Sequence, residues 1–565
     1  RRTHVLPGDP AVARRLGRAM RALGALDEFR GDPAAAFTQA WRRHARQARR
    51  LHEKLFYRPL LGAVARLPGD AVRLTPQAAR ARLEALGYAD PAGALRHIDA
   101  LTSGVSRRAA IQRTLLPVLL GWFADAAEPD AGLLAFRQVS EALGETPWYL
   151  RLLRDETKAA ERMARILASS RYATGLLLRA PEAVAILGDD AELVPRALPA
   201  LRAEAVAAVR RHDDAENAVA AVRSLRRREL LRIAAADLLG LLSSGQAADA
   251  LTAVAAASIE AALAAAAKKI GAELRGPLPT RICVIAMGRF GGHETGYGSD
   301  ADVMFAHDPA RGADEGTSAR AAHMVAQELR RLLALPGPDP VLAVDPDLRP
   351  EGRQGPLVRT IASYLAYYRR WSVPWEAQAL LRAEPVAGDP ALGEQFVTAI
   401  GEFRYPSGGI GEAAVREIRR IKARMEAERM PRGTERALHV KLGPGGLSDV
   451  EWTVQLLQLR HAHAIGELRT TRTMPALAAA REAGLVSAAD AAVLAESWHL
   501  ATRIRNALML VRGTPADTIP AAGSRELGAL AQLLGYGPAS GQALVQDYRR
   551  AARRARSVME RLFYG

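Results

Sequence analysis

Hydrophobic positions recur every three to four residues from Asp9 to about Arg275, as at Leu230, Ile233, Leu238 and Leu241, and this period predicts helix throughout. Turn and helix-start signals punctuate the stretch at Gly31-Asp32-Pro33, Leu67-Pro68-Gly69, Glu128-Pro129-Asp130 and Gly276-Pro277. Then the period changes. Arg281 to Met287 is a short run of β-formers with Ile282, Val284 and Ile285, and it leads into glycines at 288, 291, 292, 296 and 298. Ala301 to Ala306 resumes the strand pattern, Thr317 to Leu335 reads as helix, and Val341 to Leu348 as a third strand with an irregularity at Pro346. From Gly411 to Tyr564 the pattern is helical again. The fold class predicted is mostly α with an embedded α+β domain.

Several local patterns have plain packing explanations. Tyr364, Tyr367, Tyr368 and Trp371 form an aromatic stripe at helical spacing and are expected in the core, while Ile418, Ile421 and Met425 line one side of a basic amphipathic helix. Ser448 and Glu451 follow Gly443-Pro444-Gly445-Gly446 as an S-x-x-E capping box, which would place Asp449 and Glu451 in a helix's first turn. No internal repeat of fixed period stands out.

A chain of 565 residues with 49% hydrophobic content exceeds one ordinary core. The net charge of +17 comes almost wholly from arginine, since lysine occurs only at 54, 158, 268, 269, 422 and 441. Arginine-rich helical faces are ordinarily solvated, so nucleic acid is not expected as a partner. The lone Cys283 excludes a disulfide framework and accords with a cytoplasmic setting. Leu115 to Phe123 is too short to span a bilayer, and Ala248 to Ala267 is interrupted by Asp249 and Glu260, so no membrane span is expected.

The chemistry concentrates between Gly288 and Phe305, which reads G-R-F-G-G-H-E-T-G-Y-G-S-D-A-D-V-M-F. Glycine lets the main chain approach an anion closely and point successive N–H groups at it, and Ser299 adds a hydroxyl donor. Side chains alternate faces along a strand, so Asp300 and Asp302 project to one side and can share a pair of hard cations. Two metals about 3.5–4 Å apart are the usual device for in-line displacement at phosphorus, and Mg²⁺ suits carboxylates acting with substrate phosphates. Gly288, Gly291, Gly292, Gly298 and Ser299 are therefore the candidate nucleotide cradle, and Asp300 and Asp302 the candidate metal ligands.

G-S-D-A-D resembles the signature of polymerase-beta-like nucleotidyltransferases, and the longer segment is similar to the glutamine synthetase adenylyltransferase family. Further similar blocks are Leu51 to Leu61, Val344 to Gly352 (V-D-P-D-L-R-P-E-G), Trp375 to Leu380, Ile421 to Glu426 and Lys441 to Trp452. The resemblance implies a polymerase-beta-like sheet flanked by helical bundles. It matches Asp345 to the third catalytic and metal-binding acid, with Asp347 the competing carboxylate, and makes Arg349 a partner for the triphosphate. It places the W-E-A-Q block with Glu376 and Gln378 near the nucleotide, a solvated helix face being the other reading. It also brings the Lys441 block toward the active site, where Lys441 would reach a phosphate.

The implied reaction moves AMP from ATP to a tyrosine of glutamine synthetase with Mg²⁺, two ions, leaving pyrophosphate. Glutamine synthetase is then the partner, and a PII-type signalling protein a second one. Family members are usually bifunctional; Gly296-Tyr297-Gly298-Ser299 looks like the adding half, and the opening Arg1 to Pro10 resembles an internal segment following a missing adenylyl-removing half. The domains expected are 1–60, a helical tail of that half; 61–215, a central helical regulatory or linker region; 216–400, the nucleotidyltransferase domain; and 401–565, a C-terminal helical domain. Two other functions fit parts of the pattern: an RNA-tailing nucleotidyltransferase, and a mainly regulatory helical module that binds PII or an effector.

Overall fold

The computed structural model describes residues 9–22, 32–52, 76–105, 107–144, 146–431, 433, 435–537 and 540–565. Most of the Leu51–Leu61 block, the first eight residues and the turn signals at Gly31 and Leu67 to Gly69 lie outside them. The chain divides into two compact units, residues 1–174 with 520–543 and residues 175–519 with 544–565.

Described residues of the first unit are helical, as the periodicity predicts. Proline opens helices Pro91–Thr102, Pro129–Leu143 and Pro147–Asp155, where its missing N–H costs no hydrogen bond, and Asp90 caps the first by accepting from Gly93 N–H at 2.9 Å. Leu119, Phe123, Leu133, Phe136, Tyr149 and Met163 fill the core. The buried Tyr149 hydroxyl is satisfied by Ser140 Oγ at 2.8 Å.

The second unit holds a five-stranded mixed sheet: β1 (Thr280–Ala286), β2 (Ala301–Pro309), β3 (Val344–Asp345), β4 (Val358–Thr360) and β5 (Glu384–Gly388). The order is β3-β2-β1-β5, with β4 also on β2; β1 is antiparallel to β2 and β5, while β3 and β4 run parallel to β2. Both faces are buried, which explains the unbroken apolar runs. Ile282, Val284, Ala286, Val303 and Phe305 face one core with helices Ala215–Leu238, Ser244–Glu273 and Glu315–Ala334. Cys283, Ile285, Met304 and Ala306 face another with Tyr364, Tyr368, Leu392 and Phe396. Burial raises the Cys283 thiol to about 12, with Asp389 and Glu260 adding to the effect, so it packs as an apolar group.

Two expectations change here, and a third keeps its outcome for a different reason. The predicted third strand, Val341 to Leu348, shrinks to Val344–Asp345, because Pro346 has no N–H to continue the ladder. Tyr364 and Tyr368 are core, but Trp371, at the end of its helix, is 62% exposed and stacks with Arg370 instead. The alanine-rich helix Ser244–Glu273 is, among the described residues, long and apolar enough to cross a membrane, despite Asp249 and Glu260. Its burial against the sheet, with Glu260 accepting from Gly388 N–H at 3.2 Å, makes it a core helix.

Beyond the sheet the described residues from Gly411 to Tyr564 are mostly helical, those from 520 to 543 belonging to the first unit, and Val415, Ile418, Leu456, Leu459, Met559 and Phe563 form a further core of the second. The buried stripe of helix Glu412–Glu428 is Val415, Ile418 and Lys422, with Ile421 and Met425 only partly covered. Helix Leu447–His461 lacks the expected capping box: Gly446 is its N-cap and makes no side-chain cap, which puts Ser448 inside the helix. Asp449 and Glu451 are held by cations instead. Asp449 takes the fully buried Lys422 at 2.6 Å and Arg556 at 3.1 Å.

Candidate active site

Strand β1 ends at Ala286, and Met287 N–H donates to the Asp302 carbonyl at 2.8 Å. The backbone then turns at Gly288, with φ +53, into one helical turn, Gly288–Gly291. A Cβ on Gly288 would lie 2.3 Å from Asp302 Oδ2, so this position admits no side chain while that carboxylate keeps its place.

Asp302 stands in β2 directly beside Asp345 in the parallel β3 register. Asp300, Asp302 and Asp345 each offer an oxygen within 4.8 Å of the others, and together they can hold a metal ion. Among the described residues no Lys or Arg lies within ion-pair distance of the three. Burial, then the charges of Asp300 and Asp345, push Asp302 up to about 7, against a smaller pull from Lys441. Such a donor set of hard oxygens, repelling one another, fits a divalent cation.

Asp347 is turned away from this cluster. Its carboxylate pairs with Arg353 at 2.6 Å, while its N–H donates to Asp345 Oδ1 at 2.8 Å, which orients the neighbouring acid. Arg349 is buried, with Nε donating to the Gly355 carbonyl at 3.1 Å and a terminal nitrogen to Pro346 at 2.9 Å. It braces the loop that carries Asp345.

The other glycines have distinct neighbours. A Cβ on Gly291 would meet the Arg382 carbonyl at 1.9 Å, and one on Gly292 the Arg382 guanidinium at 2.0 Å; one on Gly298 would meet Pro515 at 2.8 Å. Ser299 Oγ accepts from Gly296 N–H at 3.0 Å, which leaves its hydroxyl hydrogen available to an acceptor. Tyr297 is buried, its hydroxyl donating to Asp237 at 2.8 Å.

Around the loop sit residues that spacing did not single out. Arg289 is lowered to about 10 by burial and then by the charge of Arg505, and it lies 5.5 Å from the Trp498 ring. Arg382 pairs with Glu294 and Glu451. No local period links positions 294, 382 and 451, so only a folded chain brings them together. Glu376 and Gln378 are buried and form a joint away from solvent, with Glu376 accepting from Tyr367 at 3.0 Å and Gln378 donating to Gln455 at 2.7 Å.

Residues 160–399 match a family model described as glutamate-ammonia ligase adenylyltransferase, and residues 419–563 one described as GlnD PII-uridylyltransferase. The whole chain is 60% identical to a bifunctional glutamine synthetase adenylyltransferase/adenylyl-removing enzyme of Streptomyces coelicolor, of which it covers 57%. It is 50% identical over its whole length to the enzyme of the same name from Nocardia farcinica, covering 56%. The chain thus spans somewhat more than half the length of these curated relatives. The match takes in every residue of the acid cluster and its surroundings, so the part of the chain that carries the site is similar to the glutamine synthetase adenylyltransferase family.

Proposed function

We propose that this sheet is a nucleotidyltransferase-type catalytic domain and that the chain moves AMP from ATP to a tyrosine of glutamine synthetase. The observation that carries this reading is the acid cluster: register in the sheet sets Asp345 beside Asp302, and Asp300 completes three carboxylates free of protein cations among the described residues. The names of the relatives supply the donor and acceptor.

Asp300, Asp302 and Asp345 would hold Mg²⁺, two ions by the chemistry of the reaction, which when bound offsets negative charge on the phosphates and the attacking oxygen. The chain's own groups do the rest. The Ser299 hydroxyl orients the phosphates, the N–H groups of Gly291, Gly292 and Gly296 being already bonded within the chain. A phenol with pKa near 10 is protonated at neutral pH, so it needs a base, and Asp345 takes the proton as the oxygen attacks the α-phosphorus. The new O–P bond forms as the bond to the β-phosphate oxygen breaks, and pyrophosphate leaves. Arg349 acts by shaping the Asp345 loop. A PII-type protein is a second proposed partner, supported by the PII-uridylyltransferase match over 419–563, and a cytoplasmic setting accords with the single buried cysteine.

The test is transfer of label from α-labelled ATP to purified glutamine synthetase with Mg²⁺, in parallel with α-labelled UTP. Label from ATP alone, lost in the Asp300→Asn/Asp302→Asn double variant of unchanged fold, is the expected result. Label retained by that variant, or taken from UTP in preference, refutes the reading.

A further inference from the structure

Arg382 follows helix Pro374–Leu380, precedes β5 by one residue, and is 3% exposed. Its guanidinium meets three separate segments. It pairs with Glu294 of the glycine loop at 3.0 Å and with Glu451 of helix Leu447–His461 at 2.8 Å. It also donates to the Thr471 carbonyl at 2.7 Å and to Thr473 Oγ1 at 2.6 Å. Thr473 N–H donates to the other oxygen of Glu294 at 2.8 Å, which closes the ring. Gly291 and Gly292 pack so tightly on Arg382 that neither has room for a Cβ.

A planar guanidinium satisfies carboxylates on two sides only in one arrangement, and a buried one left without a partner is strongly unfavourable. The glycine loop takes its observed path with Glu294, Arg382 and Glu451 together, the Glu294 contact being an ion pair and the Glu451 contact a hydrogen bond. That path holds Gly288 against Asp302 and leads into Ser299 and Asp300. We infer that Arg382 is a positioning residue that locks the nucleotide loop to the C-terminal helices, so that ATP binding depends on a contact made outside the acid cluster.

This inference rests on the adenylyl-transfer reading, and the experiment separates the two. Arg382→Lys keeps the charge but loses the planar fork. It is expected to raise the ATP Kd, measured with labelled ATP and Mg²⁺, and the KM for ATP by about tenfold, with kcat changed less than about threefold and the KM for glutamine synthetase unmoved. Thr473→Val removes one acceptor in the same shape and should raise both ATP constants about threefold, while Arg369→Lys, a surface residue paired with Glu402, leaves them unchanged. ATP constants within twofold of wild type in Arg382→Lys, or a fall in kcat with ATP binding intact, overturn the inference. Should Arg382→Lys lose its thermal transition, unchanged ATP constants in Thr473→Val overturn it. A wild type that binds ATP but labels no synthetase refutes the acceptor alone, and the ATP affinities still decide. A wild type that binds no ATP refutes the reading and this inference together.

Discussion

Gly288 and Asp302 show how closely single residues constrain this site. Alanine at 288 would meet both an unfavourable positive φ and a carboxylate oxygen 2.3 Å away. Gly288→Ala should therefore abolish transfer, and with it metal binding measured by Mn²⁺ titration, while the helical circular dichroism is retained. Asp345→Asn should cost at least about a hundredfold in kcat as a lost base, whereas Asp347→Asn, which touches the site only through its N–H, should cost less than about tenfold. Asp302 also sets a pH dependence. Its folded pKa, about 7, lies above the ordinary carboxylate value of 3.8, so the folded form holds a proton the unfolded form releases. That contribution is complete below about pH 3.8 and is lost as pH rises to about 7. Thermal unfolding of the metal-free protein should show this loss, and both saturating Mg²⁺ and Asp302→Asn should remove it.

Among elements, pairing register matters most. A slip of one residue between β2 and β3 would turn Asp345 to the opposite face from Asp302, and the bracing of the following loop by Arg349 opposes such a slip. Helix Leu447–His461 is anchored differently, by Asp449 between Lys422 and Arg556, with a further bond from Gly445 N–H at 2.7 Å. Asp449→Ala leaves Lys422 with Glu426 as its one carboxylate partner and Arg556 without Asp449, so it should lose about 3–5 kcal/mol in denaturant unfolding. The exposed Glu412 and Arg460 pair should give less than about 1 kcal/mol on Arg460→Gln. Two outcomes of similar size would mean that burial is not what gives the Asp449 cluster its strength.

For the whole molecule, the division into units is informative. Every residue of the acid cluster, the glycine loop and the Arg382 ring lies in the second unit, although they are spread from 288 to 473. Removal of residues 1–174, the larger part of the first unit, should therefore leave ATP affinity within about threefold of the full chain, checked by equilibrium binding. A loss of affinity beyond that would show that residues 1–174 contribute to nucleotide binding. An RNA-tailing role gains nothing from the structure, since the buried arginines near the loop are held by carboxylates or carbonyls.

Local pattern was enough to place β1, the glycine loop, β2 and the following helix, because a change from a 3.6 to a 2.0 period and a cluster of glycines are encoded within a few neighbours. It also identified Asp300 and Asp302 as a pair, since residues two apart in a strand share a face. The short strands β4 and β5 carried no such signal, and the extent of β3 was overstated because pairing with β2, not local propensity, defines it. The family resemblance chooses Asp345 over Asp347, and the fold sets Asp345 beside Asp302 with Asp347 on Arg353; tertiary structure alone moved Ser448 from a cap into a helix and gave Gly291 and Gly292 their reason in Arg382. Those choices depend on which distant side chains arrive at one place, and contact at that range has no period along the chain.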